Sequence, residues 1–488
     1  MAISYNQIPS TARVPFVYVE FDASRANQGV RLQQLRGLLI GQKLSTGTVA
    51  ELTPVRITST GQARNFFGVA SQLGAMAEAW FANNRESELW AVAIDDPSGG
   101  VKAAGTITYT GTPTQSGTIY LYVAGTRIQI PVTTASTPTS LATATAAAIN
   151  ASPYLPVTAT SAVGVVTWTA RHAGVIGNEI DVRTNYQDGD RTPSGVTVAI
   201  ADTVAGTGDV DITEVWPTIG EAQFHIMVIP VIDTTNLTAI DAELEDRWGP
   251  LRQNDGTAIT AHSGSHATLL TFGSTKNSKH LVVLPNTGSP TTAWEYAAAG
   301  AALITRYGSN DPARPFNTLR MVGAMAPAIT DRFTAAEREL LLQGGIATTK
   351  VGADGGVYLE RVITTYQTNE FGADDLAFLD LPTKLTLSFL RYDFRNYFAG
   401  RYPRHKLADD GARFGAGQAV ITPKIAKAEA ISKFRQWEEL GLVENIDQFK
   451  QDLIVERNAS DPTRLDFLLP PDLINQLMVT AAQIQFRL

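Results

Sequence analysis

The sequence predicts an α/β protein interrupted by an all-β insertion and closed by an α+β region, and three observations lead there. Short apolar runs alternate with segments of helical period on either side of a gap, over residues 31–105 and again over 208–385. Within the gap, residues 106–207, 22 of 102 residues are Thr, set in short alternating runs between Gly, Pro and Ser. From residue 386 onward strand and helix patterns mix, and the chain finishes on a period-two pattern.

Taken in order, residues 1–30 read as an N-terminal arm. Pro9 and Pro15 break helical propagation, and "VPFVYVEFD" reads as one extended strand carrying Phe16, Val17, Tyr18, Val19 and Phe21, with nothing nearby to pair with. Next, "LRGLLIG" and "VRITS" are short strands, and "SQLGAMAEAWFANN" is a helix leading into the strand "ELWAVAID". The Thr-rich module supplies strands such as "GTITYTGT", "GTIYLYVAG" and "GVVTWTAR", with one helix, "SLATATAAAIN", between them. The α/β pattern resumes with the apolar strand "FHIMVIPVI" and the helix "NLTAIDAELEDRW". A strand "KHLVVLPN" follows, then a helix ending at Gly308 as its C-cap, then the helix "TAAERELLLQGG". A hairpin turns at "ADGG", and Thr422 with Pro423 opens a helix over "TPKIAKAEAISKFRQWEEL". The ending places Val479, Ala481, Ile484, Phe486 and Leu488 as apolar positions, the last three alternating with Gln483, Gln485 and Arg487. Such a strand needs a partner, in its own chain or another.

Length and composition narrow the function. The 488 residues leave room for roughly three domains. A charged fraction of 18% on so long a chain points to surface buried against partners. The net charge of −8 argues against a general nucleic-acid binder, although ten Lys and Arg face four Asp and Glu between Arg391 and Arg435. The absence of Cys removes disulfides, thiolate nucleophiles and Cys-ligated metals from consideration. The first residues lack the basic and apolar blocks of a signal peptide, and no apolar run approaches the ~20 residues of a membrane span, so a soluble protein made in the cytoplasm is expected.

Catalytic chemistry is sparsely provided. "AHSGSHATLL" gathers His262, Ser263, Ser265 and His266, with Asp233 and Asp246 upstream, but a serine hydrolase needs its nucleophile, base and acid to converge. The run lacks the second Gly of a nucleophile elbow, and Ser and His at such a junction serve more often as caps. No zinc motif accompanies the His262 and His266 pair, and "GADGG" and "GARFGAGQ" match neither phosphate-binding fingerprint. The expectation is therefore no catalytic residue, no metal and no cofactor. On the helix opened by Thr422, Lys424, Lys427 and Arg435 lie within about 80° of one face at 100° per residue.

Two long blocks carry a family resemblance. "VYLERVITTYQTNEFGADDLAFLDLPTKLTLSFLRYDFRNYF" and "VRITSTGQARNFFGVASQLGAMAEAWFANN" resemble segments of contractile phage tail sheath proteins. "HAGVIGNEIDVR" and the ending "DPTRLDFLLPPDLINQLMVTAAQIQFRL" are similar to the Mu-like branch. The resemblance implies a subtilisin-like but non-catalytic central α/β domain, and a Thr-rich domain on the outer surface. It implies copies joined in hexameric rings stacked helically around a tail tube protein, with baseplate and tail terminator proteins as further partners. Neither direct contact with nucleic acid nor membrane insertion is implied. The Phe16–Phe21 arm and the Val479–Leu488 ending would cross to neighbouring subunits as added strands, and Lys424, Lys427 and Arg435 would face the tube. A phage-derived bacteriocin or secretion sheath shares this physics. A subtilisin-like hydrolase is the enzyme alternative, and an adhesin built on the β module would leave the α/β core unexplained.

Overall fold

The computed structural model describes residues 33–415 and 417–487. The expected arm strand with Phe16, Val17, Tyr18, Val19 and Phe21, and Leu488 at the other end, lie outside the described residues. The chain divides into two compact units, one of residues 34–388 joined by the segment from 475 onward, the other containing residues 389–474.

The larger unit is built on a six-stranded sheet in the spatial order Leu281–Pro285, Thr257–His262, Ile226–Val228, Gly37–Gln42, Leu89–Ile94, Val55–Ile57. Neighbours run parallel except Val55–Ile57, which pairs antiparallel with Leu89–Ile94 at the edge. Strands buried on both faces must be apolar throughout, which is why these segments read as unbroken runs. Alternate side chains enter two different cores: Leu39, Val282 and Leu284 join one, while Leu38, Ile40, Leu281 and Val283 join the other. Met76 and Trp80 of helix Gln72–Asn83, with Ala297 and Ala301 of helix Ala293–Asn310, belong to the first core. Leu237, Ile240 and Leu244 of helix Thr234–Trp248, with Leu269 and Leu341, belong to the second. The result is a layered α/β arrangement with helices on both faces.

The insertion leaves after Leu89–Ile94 and comes back through a bridge between Val101 and Thr207. It folds as a four-stranded sheet, Val196–Val204, Ala104–Gly111, Val165–Ala170 and Val157–Ala162, beside a three-stranded one, Thr126–Val132, Gly117–Val123 and Val182–Thr184. Along Ala104–Gly111 the buried Ile107 and Tyr109 alternate with the more exposed Thr106 and Thr108, which explains the Thr-rich period of two. Helix Pro138–Ala151 starts at a Thr137–Ser140 capping box and buries Leu141, Thr145 and Ile149, with Tyr109 Oη and Thr145 Oγ1 2.8 Å apart.

The returning part of the insertion, residues 172–186, packs onto the core. Gln42 Nε2, at the carboxyl end of its strand, donates to Ala173 O at 3.0 Å and to Asp96 Oδ1 at 2.6 Å. His172 Nε2 accepts from Gln72 N, so its Nδ1 carries the proton toward Asp96. Burial raises the Asp96 pKa, but the bonds from His172 and Ala173 outweigh it and hold the carboxyl below its ordinary value. Arg183 and Tyr186 donate to Gly288 O and Ala326 O, tying the segment down further along.

Two expectations need correction. The helix expected to stop at Gly308 continues to Asn310, with Gly308 buried inside it; a Cβ there would meet Leu35 Cδ1 at 3.0 Å, so the missing side chain serves close packing, not a cap. "FHIMVIPVI" is a strand only over Ile226–Val228; Ile229 N still donates to Ile259 O at 3.0 Å, and Pro230 has no N–H to continue the ladder. Residues 475–487 make no ladder with a described strand of their own chain; the strand expected from Val479 is one that pairs with another copy.

The smaller unit contains helices Pro423–Glu439 and Ile446–Asp452 and three short strand pairs. Its apolar centre gathers Ala426, Ala430, Phe434, Trp437, Phe449 and Leu453, with the Phe434 and Phe449 rings stacked 4.1 Å apart. Helix Leu381–Arg401 carries the chain from the larger unit into the smaller one.

Candidate functional site

The carboxyl ends of the parallel strands are where an α/β sheet ordinarily places a ligand. A cavity of about 390 Å³ lies there, bounded by Gln42, Ile176, Glu179, Asp209, Asp233 and Trp294 among others. Of the residues singled out for hydrolytic chemistry, Asp233 alone bounds it, with no Ser or His of that group alongside. Ser265 is the N-cap of helix His266–Ser274, its Oγ accepting from Thr268 N at 3.2 Å. His266 Nε2 donates to Glu337 O at 2.9 Å, while the His262 ring sits 4.7 Å from Phe272 and burial lowers its pKa. Ser263 donates to a carboxylate, Glu179, and not to an imidazole. Asp233 caps helix Thr234–Trp248 through Asn236 N, and Asp246 accepts from Arg252 at 2.7 Å. Apart from His262, whose buried Nδ1 has no hydrogen-bond partner among the described residues, each of these polar groups thus has a structural occupation. Among the described residues no group of three His, Cys, Asp or Glu is arranged to hold a metal ion.

Helix Pro423–Glu439 is shaped for a different task. Thr422 Oγ1 accepts from Ile425 N, Pro423 sits in the first turn, and Asp410 Oδ1 accepts from Lys424 N at 3.0 Å. Its inner face is anchored by polar contacts as well as apolar ones. Lys433, only 3% exposed, pairs with Asp393 at 2.5 Å, and Trp437 Nε1 donates to the same carboxylate at 2.6 Å. The Tyr397 ring lies 5.0 Å from Lys433 Nζ, and Glu429 accepts from Tyr397 and from Tyr402, the latter at 2.7 Å. Of the three cations expected on one face, Lys424 and Arg435 are exposed together, with Ala428 and Ser432 between them. Lys427 is half-buried and donates to Leu453 O at 2.7 Å. The sequence reading missed Lys433. The signal was available: it falls on the stripe Ala426, Ala430, Phe434, Trp437, at i+7 from Ala426 and i−4 from Trp437.

The C-terminal segment is the third element. Val479, Ile484 and Phe486 are exposed, Ile484 at 88%, although such side chains gain roughly 1.5–3 kcal/mol each on full burial. Ala481 is exposed as well.

Residues 205–365 match the phage tail sheath protein central domain, and residues 373–487 match the phage tail sheath C-terminal domain. Over 486 residues, the full length of both chains, the protein is 38% identical to the Mu-like prophage FluMu tail sheath protein of Haemophilus influenzae. The chain belongs to the phage tail sheath family. Its role is structural, as a Mu-like contractile tail sheath protein. Among solved structures, the sheath chain aligns with a sheath tail protein from Desulfitobacterium hafniense at a TM-score of 0.48 and 12% identity, over 94% of this chain and 100% of that one. It aligns with a sheath tail protein from Listeria innocua at 0.48 and 11%, over 91% and 96%. With the anti-feeding prophage helical sheath in the contracted state the values are 0.45 and 11%, over 98% and 99%. No helix among the described residues of the sheath chain is long and apolar enough to cross a membrane.

Proposed function

We propose that this sheath chain polymerises as hexameric rings stacked helically around a tail tube, and that the lattice contracts once to drive the tube through a host envelope for genome ejection. The observation that carries the reading is the C-terminal segment: Val479, Ile484 and Phe486 are exposed outside every described sheet of their own chain, and Gln483, Gln485 and Arg487 alternate with the last apolar positions. A segment of this pattern is suited to adding a strand to a neighbour's sheet, where main-chain hydrogen bonds link copies without fixing one orientation of their domains. The arm at Phe16–Phe21 is proposed as its counterpart.

Contraction needs no fuel if the extended lattice is metastable and the contracted one makes more contacts. Lys424 and Arg435 would face the tube, with Lys427 adding charge from behind; links of this screened kind hold weakly and release readily. The subtilisin-like description of the central domain, the outer placement of residues 106–207 and a non-catalytic role all belong to this reading. So do tube, baseplate and terminator proteins as partners, and assembly in the bacterial cytoplasm before residence in the virion tail.

Negative-stain electron microscopy of the purified protein, beside a version ending at Leu477, tests the proposal. Striated tubes or rings from the full chain, lost on truncation, are expected. Monodisperse monomers from both would sink the trans-strand assignment.

A further inference from the structure

We propose that the hairpin formed by residues 366–377 is a plug that docks on the basic loop 402–415 of a second copy of this chain, an inference that rests on the polymeric reading above. The hairpin is ordered in advance. Asn369 Oδ1 accepts from Phe371 N and Ala373 N at 3.0 and 3.1 Å, Asn369 N donates to Ala373 O at 2.9 Å, and Gly372 turns the chain at φ +75°. Tyr366 Oη donates to Asp375 Oδ2 at 2.6 Å and fixes its base. This scaffold holds Phe371 84% exposed and Leu376 73% exposed, an arrangement that places apolar surface in water with little entropy left to lose on docking.

The charge on the hairpin is divided. Asp375 is occupied by Tyr366 and by Ala377 N, and Asp380 is clasped by Arg361 through two bonds of 3.0 Å. Glu370 and Asp374 are exposed and make no ion pair among the described residues. The basic loop shows the inverse division. Its acids are used internally, Asp409 by Arg457 at 3.1 Å and Asp410 by Lys424 N at 3.0 Å, and Lys406 donates to Gln418 Oε1. Arg404 and Arg413 are exposed and make no ion pair among the described residues, and Phe414, next to Arg413 in sequence, is 49% exposed. Two outward carboxylates and an exposed aromatic on one segment therefore match, in chemistry, two outward guanidiniums and an exposed aromatic on the other. The two segments are different patches of one chain, so a contact between them across copies is heterologous and propagates into a ring or helix.

The test is a charge exchange read by sedimentation and negative-stain microscopy of the full chain. E370K/D374K and R404E/R413E are each expected to cut pelletable polymer at least tenfold, F371A to weaken it without any charge change, and the quadruple variant to restore it. Circular dichroism melts should match the wild type, because none of the charged side chains makes an ion pair among the described residues. Polymer from the wild type that is unaffected by the double variants, or that the quadruple variant fails to recover, overturns the contact alone, the second outcome placing the basic loop on a different protein. Absence of polymer from the wild type overturns the assembly reading and this contact with it.

Discussion

Removing the carboxylate of Asp393 should loosen helix Pro423–Glu439 severely. In D393A the Lys433 ammonium, 3% exposed, loses its counter-charge at 2.5 Å, and Trp437 Nε1 loses its acceptor at 2.6 Å. Breaking one side of a buried ion pair costs about 3–5 kcal/mol, and orphaning a buried donor about 1–3 kcal/mol. The two overlap on one carboxylate, so a total of about 4–6 kcal/mol is expected, a large share of the 5–15 kcal/mol by which a domain is typically stable. The bonds from Glu429 to Tyr397 and Tyr402 remain, which keeps the loss local. Hydrogen exchange on the full-length chain reads it directly: amides of residues 426–437 should lose on the order of a thousandfold protection, while the strand Gly37–Gln42 is unchanged. Because the cost comes from an uncompensated charge, K433M added to D393A should recover about half of it. Protection in D393A within tenfold of wild type, or a double variant no better than the single, would refute the reasoning.

Three further outcomes follow from local chemistry. His225 accepts from Arg36 N through Nδ1, and burial holds its pKa down at about 4. The unfolded chain binds that proton near 6.5 and the folded one does not until about 4, so stability falls as pH drops through this window by up to about 3 kcal/mol; H225N should remove that part of the slope in urea melts at pH 7 and 4.5. A Cβ on Gly37 would lie 2.3 Å from the ring of the buried Trp80, so G37A should cost about 1–3 kcal/mol, whereas G61A, with open space in a helix, should gain up to about 1 kcal/mol in the same melt. Burial raises the pKa of Glu179, which contributes fully while protonated and less as pH rises, so E179Q should match wild type in thermal melts at pH 4 and exceed it at pH 8.

Much of the fold was legible because local and global signals agreed. Thr422 with Pro423, the helix within "TAAERELLLQGG" and the Gly355 turn all appear where their residue types place them. Gly308 misled because a glycine near a helix end reads as a cap, while its actual reason is the proximity of Leu35, 273 residues away in sequence. The length of the Ile226–Val228 strand was obscured by Ile229 and Val231, which are buried past the last ladder pair, where Ile229 N makes one closing bond to Ile259 O. On helix Pro423–Glu439 the cations were visible but their roles were not. Periodicity put Lys427 beside Lys424 and Arg435, yet only tertiary structure supplies the Leu453 carbonyl that engages Lys427, and the Asp393 that lets Lys433 be buried.

The closure of the strand ends by residues 172–186 has a consequence for anyone wishing to decorate this protein. The Thr-rich insertion cannot be exchanged as a cassette, because its last third supplies the partners of Gln42, Ser263 and Gly288 in the core. Foreign sequence belongs instead at the far hairpin between Val157–Ala162 and Val165–Ala170. There Val163, 89% exposed at φ +44°, and Gly164 at φ +81° form a two-residue turn that an epitope or fluorophore-binding peptide could lengthen, leaving the seal over the sheet intact.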